Sequence, residues 1–198
     1  MTSEPLILAF DTSVAHCAAA LLWGDRVLVQ RDEPMAKGQA ERLFPLLEKL
    51  LAEAGKSWAD LNAIGVGTGP GNFTGIRISV SAARGLALSL GIPAVGVSSF
   101  EALALNAPRP VLSLVDARRD QLFAQELSAS GAQAPFMATK DTLPDMPAIG
   151  PADTVDPVAI ARIAATRFAD PGLPRPAPLY VRAPDAAPPR DPAPVILP

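Results

Sequence analysis

The sequence predicts a mixed α/β protein whose antiparallel opening gives way to strand–helix units. Three observations predict it. Short apolar runs separated by turn residues open the chain. A stretch with apolar residues at three- and four-residue spacing follows. A glycine-rich loop then joins another short apolar run to a second helical stretch, the strand–loop–helix order of a parallel crossover.

Taken in order, residues 6–10 read as a buried strand, broken by the polar Asp11-Thr12-Ser13. Residues 16–22 and 26–30 read as the next two strands, and Gly24-Asp25 suits the tight turn between them. From 38 to 54, Ala40, Leu43, Phe44, Leu47, Leu50, Leu51 and Ala54 keep a helical period, with Gly55 as the C′ residue. Pro45 lies inside this pattern, so the helix either kinks there or starts nearby. Residues 63–66 form a short buried strand feeding the glycine loop 67–75, and a helix over 76–90 stops at Gly91. That helix is rich in small residues (Ser79, Ser81, Ala82, Ala83, Gly85, Ala87), which let another backbone approach. A strand over 94–97 precedes Ser98-Ser99, which can cap a helix over 100–106.

Strands over 111–115 and 121–127, joined by the charged turn Asp116-Ala117-Arg118-Arg119-Asp120, begin a second lobe. A helix over 156–168 carries Pro157 in its first turn. From Pro171 onward 10 of 28 residues are proline, which predicts an extended or partly disordered tail. The expected division is an N-terminal lobe over 1–106, a smaller lobe over 107–182 and a proline-rich tail over 183–198.

Composition narrows the function. The chain has 198 residues, enough for one compact domain or two small lobes. Apolar residues make up 49% and aromatics only 5%, so aliphatic side chains must fill the core. A net charge of −3 argues against a protein that grips nucleic acid alone, since such proteins present a basic face to phosphates. Cys17 is the only cysteine, so no intrachain disulfide forms. No apolar run reaches the roughly 18 residues of a membrane span, and the acidic start is unlike a signal peptide, so a cytoplasmic protein is expected. His16 is the only histidine. A histidine-based zinc site is therefore excluded, nothing near His16 suggests a Ser-His-Asp triad, and no metal is expected.

Several residues are candidates for function. Asp11-Thr12-Ser13, at the end of a strand, can face phosphate through water or a cation, or can simply close a turn. Gly69 and Gly71 belong to a loop whose N–H groups can receive an anion at a helix end, or which shapes a rigid packing surface. The loop lacks the Lys-Ser/Thr of a Walker A motif, and Pro70 and Phe73 disturb a dinucleotide fingerprint. Arg77 near a helix N-terminus is disfavoured by the dipole, which suggests a carboxylate or phosphate partner, or ordinary exposure. On the first helix the apolar set Leu43, Phe44, Leu46 and Leu47 wraps further round than one buried stripe requires. A partner surface is therefore expected on Leu43, Leu46, Leu47 and Leu50, together with Arg77, Ser79, Ala82 and Ala83. The competing reading keeps all these leucines in the intrachain core.

Gly69-Pro70-Gly71-Asn72-Phe73-Thr74-Gly75-Ile76-Arg77 resembles the glycine-proline-glycine-serine-phenylalanine-threonine-glycine-leucine-arginine signature of the TsaB family. Leu8-Ala9-Phe10-Asp11-Thr12-Ser13 resembles that family's opening strand and turn. Gly96-Val97-Ser98-Ser99-Phe100-Glu101-Ala102-Leu103-Ala104 is similar to its next characteristic segment, and Tyr180-Val181-Arg182 to its closing tyrosine-leucine-arginine. Order and spacing agree best over 6–106. Gln39-Ala40-Glu41 stands where family members often carry histidine-serine-glutamate, and Asn72 replaces the usual serine.

The resemblance implies an actin-like, Hsp70-like, sugar-kinase (ribonuclease H-like) fold with a degenerate second lobe. It implies a non-catalytic scaffold required for threonylcarbamoylation of adenosine-37 in tRNAs that read codons starting with A. The implied partner is TsaD, of the same fold, which carries the metal and the catalytic site. The ATPase TsaE and an upstream synthase complete the machinery. The resemblance also implies a homodimer when the chain is alone, tRNA reached only through the complex, and ATP used by the complex with no cofactor on this chain. The chain resembles the M22 peptidase-like (glycoprotease) grouping too, but a single histidine argues against metal-dependent proteolysis. The alternative is an ATP-binding actin-like enzyme with its own turnover, its phosphate loop formed by Asp11, Thr12, Ser13, Gly69 and Gly71.

Overall fold

The computed structural model describes residues 4–182, so the expectation for the tail over 183–198 lies outside the described residues. Strand β1 (Leu6–Asp11) is buried along its whole length. Alternation puts Leu6, Leu8 and Phe10 into one core cluster and Ile7 and Ala9 into another, so both faces of this strand are covered. It pairs antiparallel with β2 (His16–Trp23), which pairs antiparallel with β3 (Arg26–Pro34). β3 runs further than expected and forms the charged outer edge of the sheet, a composition that discourages further strand pairing.

Helix α1 (Gln39–Glu53) crosses to β4 (Ala63–Gly67), which pairs parallel with β1. Pro45 is inside α1, and the helix begins well before it, at the left-handed Gly38. The carbonyl left without a donor is that of the exposed Glu41, where water can serve it. Helix α2 (Phe73–Leu90) leads to β5 (Ala94–Val97), which pairs parallel with β4. α2 starts earlier than the apolar period suggests because Asn72 Oδ1 accepts the Gly75 N–H at 3.0 Å and caps it. Helix α3 (Ser99–Leu103) has a Ser98–Glu101 capping box and ends sooner than expected.

The sheet order β3-β2-β1-β4-β5, with only β2 antiparallel to the rest, is the ribonuclease H-like arrangement shared by actin-like lobes. α1 and α2 cover one face, and Leu43, Leu46, Leu47 and Leu50 pack there against Leu8, Phe10 and Leu21.

The second sheet runs β10-β6-β7-β8, with β9 also on β7. Its strands are β6 (Val111–Asp116), β7 (Leu122–Ser128), β8 (Gly131–Ala132), β9 (Phe136–Ala138) and β10 (Ala148–Ala152). β6 and β7 match the sequence reading. β8, β9 and β10 are short and mostly exposed, and they carry no period that marks them. Helix α4 (Pro157–Arg167), capped by Asp156, returns to the other face of the first sheet. It approaches so closely that a Cβ on Gly65 would meet Ala164 Cβ at 3.0 Å and Ile160 Cγ2 at 3.1 Å.

Among the described residues, no helix is long and apolar enough to cross a membrane.

Candidate functional site

The turn after β1 and the glycine loop form one interlocked unit. Asp11, Thr12 and Ser13 are fully buried. The Ser13 N–H and Oγ–H both donate to Asp11 Oδ1 at 2.8 Å, and Thr12 Oγ1 donates to the Gly75 carbonyl at 2.7 Å. The Asn72 N–H donates to the Ser13 carbonyl at 2.5 Å. The loop glycines are what make this contact fit. A Cβ on Gly67 would sit 1.8 Å from Asp11 Oδ2, one on Gly71 2.2 Å from the Ser13 oxygen, and one on Gly75 1.9 Å from the Thr12 oxygen. Gly69 has φ +89°, a left-handed conformation that glycine adopts without strain. The predicted phosphate-loop residues are thus brought together, with the three turn side chains committed inward.

His16 completes this unit. Its Nε2 lies 2.8 Å from Asp11 Oδ1 and its Nδ1 3.1 Å from Asp32 Oδ1. Both ring nitrogens donate only in the imidazolium, so the geometry selects the charged form. Burial alone would lower the pKa of His16. The hydrogen bond and charge of Asp11, with those of Asp32, outweigh that and raise it above 6.5. Asp11 Oδ2 has no hydrogen-bond partner. Among the described residues, no group of three His, Cys, Asp or Glu side chains is placed to hold a metal ion.

The predicted partner surface needs correction. Leu43, Leu46, Leu47 and Leu50 are 0% exposed, as are Ser79 and Ala83, and Ala82 is half-buried. Hydrophobic burial of the three–four stripe against the sheet explains this: α1 has one apolar face, and the sheet takes all of it. The outward faces hold other residues. On α1 they are Ala40, Phe44, Pro45 and Glu48, and on α2 they are Ser81, Arg84, Gly85 and Leu88. Phe44 is 43% and Leu88 86% exposed, which is uncommon for large apolar side chains.

Arg77 is exposed at the start of α2, and its guanidinium lies 3.8 Å over the Phe73 ring. Phe73 in turn stacks on Tyr180, with centroids 5.1 Å apart, and Arg77 Nε donates to the Tyr180 hydroxyl at 3.0 Å. Sequence reasoning missed this cluster because Tyr180 lies about a hundred residues away. The closing segment reaches it by packing Pro176 on Gly96 and donating the Leu179 N–H to the Thr68 carbonyl at 2.8 Å. Phe73 and Tyr180 also line a cleft of about 790 Å³ with Ser13, Asn72, Arg118 and Arg182.

Comparison with known proteins gives a consistent picture. Residues 33–151 match the profile of the family described as TsaD: tRNA N6-adenosine threonylcarbamoyltransferase. The chain is 37% identical over 122 residues to the Escherichia coli tRNA threonylcarbamoyladenosine biosynthesis protein TsaB, covering 59% of this chain and 52% of that one. It is 31% identical over 204 residues to an uncharacterized protein of Mycobacterium bovis, covering 92% and 94%. A crystal structure of an uncharacterized Pseudomonas aeruginosa protein with similarity to peptidase YeaZ superposes with a TM-score of 0.74 at 26% identity, over 90% of this chain and 100% of that one. The chain thus spans about half the length of the E. coli TsaB it matches.

Proposed function

Since the chain belongs to the TsaB family, within the wider TsaD threonylcarbamoyltransferase domain family, we propose that it is a non-catalytic subunit of the machinery that makes threonylcarbamoyladenosine-37 in tRNA. Its role in this reading is to bind and organise TsaD in the cytoplasm, with TsaE joining the complex and ATP consumed there. The observation that carries it is the outward face of α1 and α2, where Phe44 and Leu88 stand exposed with Ala40, Ser81 and Gly85 between charged neighbours. Such a face suits a second pair of helices, from TsaD or, when TsaD is absent, from another copy of this chain.

Lack of a chemical role fits the turn as well. Asp11 holds Ser13 and His16, and Thr12 holds Gly75, so these side chains support the loop instead of reacting. We also propose that the lobes divide near residue 106, with α4 reaching back from the second to the first. The test is reconstitution with TsaD, TsaE, the threonylcarbamoyl-adenylate synthase and tRNA. Modification should require this chain, and the chain alone should neither hydrolyse ATP nor transfer phosphate. Hydrolysis of many ATP molecules per copy of the isolated chain would instead establish the enzyme reading.

A further inference from the structure

We propose that the Arg77–Phe73–Tyr180 stack is a contact point for an unpaired nucleotide of RNA, the aromatic face taking the base and Arg77 the phosphate. The proposal rests on the reading that this chain works in a tRNA-modifying complex, and it adds a direct contact to an expectation that tRNA is reached only through partners.

Arg77 is held before any ligand arrives. Its guanidinium carbon lies over the Phe73 ring, and its Nε donates to the Tyr180 hydroxyl. None of the ion pairs among the described residues involves Arg77. Its two terminal nitrogens therefore remain a pre-positioned fork, the geometry that receives phosphate through two parallel hydrogen bonds. α2 contains no acidic residue, and Arg84 lies further along its outward side.

Phe73 and Tyr180 are 39% and 40% exposed although stacked on each other, and Phe73 already carries the Arg77 guanidinium, which leaves the Tyr180 ring as the surface for another plane. A carboxylate partner would need only the cation. The open aromatic surface beside it is what selects a base, because stacking on aromatic rings serves any nucleobase.

The cleft beneath supplies a second cation. Arg118 lines it from a turn in which Arg118, Arg119 and Asp120 all have left-handed φ (64°, 53° and 60°). Asp116 and Asp153 line the same cleft; Asp116 Oδ1 is engaged by the Arg118 N–H. The net charge of −3 does not oppose a contact this local, since screening confines each charge to about 8 Å at physiological salt.

The test is fluorescence anisotropy of a labelled RNA hairpin with an unpaired loop, titrated with the full chain over a range of salt that includes physiological ionic strength. A fully paired duplex of the same strands serves as the control. The wild type should bind the hairpin more tightly than the duplex. Tyr180→Ala should weaken hairpin binding about tenfold or more, while Tyr180→Phe, which keeps the ring, should retain most of it. Arg77→Gln should reduce the slope of log affinity against log salt by about 0.7, and Arg162→Gln on α4 should change nothing. The proposal is overturned by equal binding of hairpin and duplex, by equal effects of Arg77→Gln and Arg162→Gln, or by displacement of the hairpin by AMP, which would mark a mononucleotide site. TsaD binding, measured separately by size-exclusion chromatography, reports on the scaffold reading whatever the RNA result.

Discussion

Replacing His16 by Gln tests the physical account of the buried turn. His16 is 1% exposed and Asp11 0% exposed, and among the described residues the imidazolium is the only cation paired with that carboxylate. The bond to Asp32 contributes little, because Asp32 is 38% exposed and water screens it. Removing one partner of a buried pair costs about 3–5 kcal/mol. Gln can still donate one neutral hydrogen bond to Asp11, so the lower end, about 3 kcal/mol, is expected. For a domain of this size that lowers Tm by about 6–12 °C.

The pH dependence follows from the same pair. The folded pKa of His16 lies above its ordinary 6.5, so the pair's full stabilisation is present below that value and is lost as pH rises through the raised folded value. Thermal melts followed by circular dichroism from about pH 6 to about pH 9 should show the wild type losing stability on the alkaline side. Over the same range the His16→Gln variant should be flatter. Equal Tm for the two proteins near pH 6, or identical pH profiles, would refute the charged pair.

Burial, with Glu33 nearby, pushes the Cys17 thiol up to about 12, so a thiol reagent at neutral pH should label it only after denaturation. Gly75→Ala drives a methyl against the Thr12 carbonyl oxygen, a backbone atom that cannot step aside, and should cost about 1–3 kcal/mol by denaturant titration. Gly85→Ala, at a helical position with open space around it, should instead stabilise by about 0.5–1 kcal/mol in the same assay.

The first sheet and the helices on it were legible in the sequence because their signals are local. Apolar runs such as 6–10 and 63–66 have only one way to be buried, and Gly55 and Gly91 mark where α1 and α2 stop. The second sheet was less legible. Ala148–Ala152 is mostly exposed and has a proline and a glycine within it, so pairing with β6, rather than any intrinsic pattern, makes it a strand. At the candidate site, the residues expected to face a partner on α1 and α2 are mostly turned into the core. Leu43, Leu46, Leu47 and Leu50 form one stripe, which a single sheet buries completely, and only Phe44 lies off it. The stack on Arg77 depends on a contact across 103 residues between Arg77 and Tyr180, which no local period encodes.

Binding of TsaD to a Phe44→Glu variant, beside Leu46→Glu, is the most direct test of the scaffold account. Phe44 is exposed, so its charged replacement stays solvated, whereas Leu46 is buried and its replacement should unfold the chain. In size-exclusion chromatography with circular dichroism, Phe44→Glu should be folded and should elute apart from TsaD. A folded Phe44→Glu that still forms the complex with undiminished affinity would contradict the claim that the outward face of α1 and α2 is where this chain meets its partner.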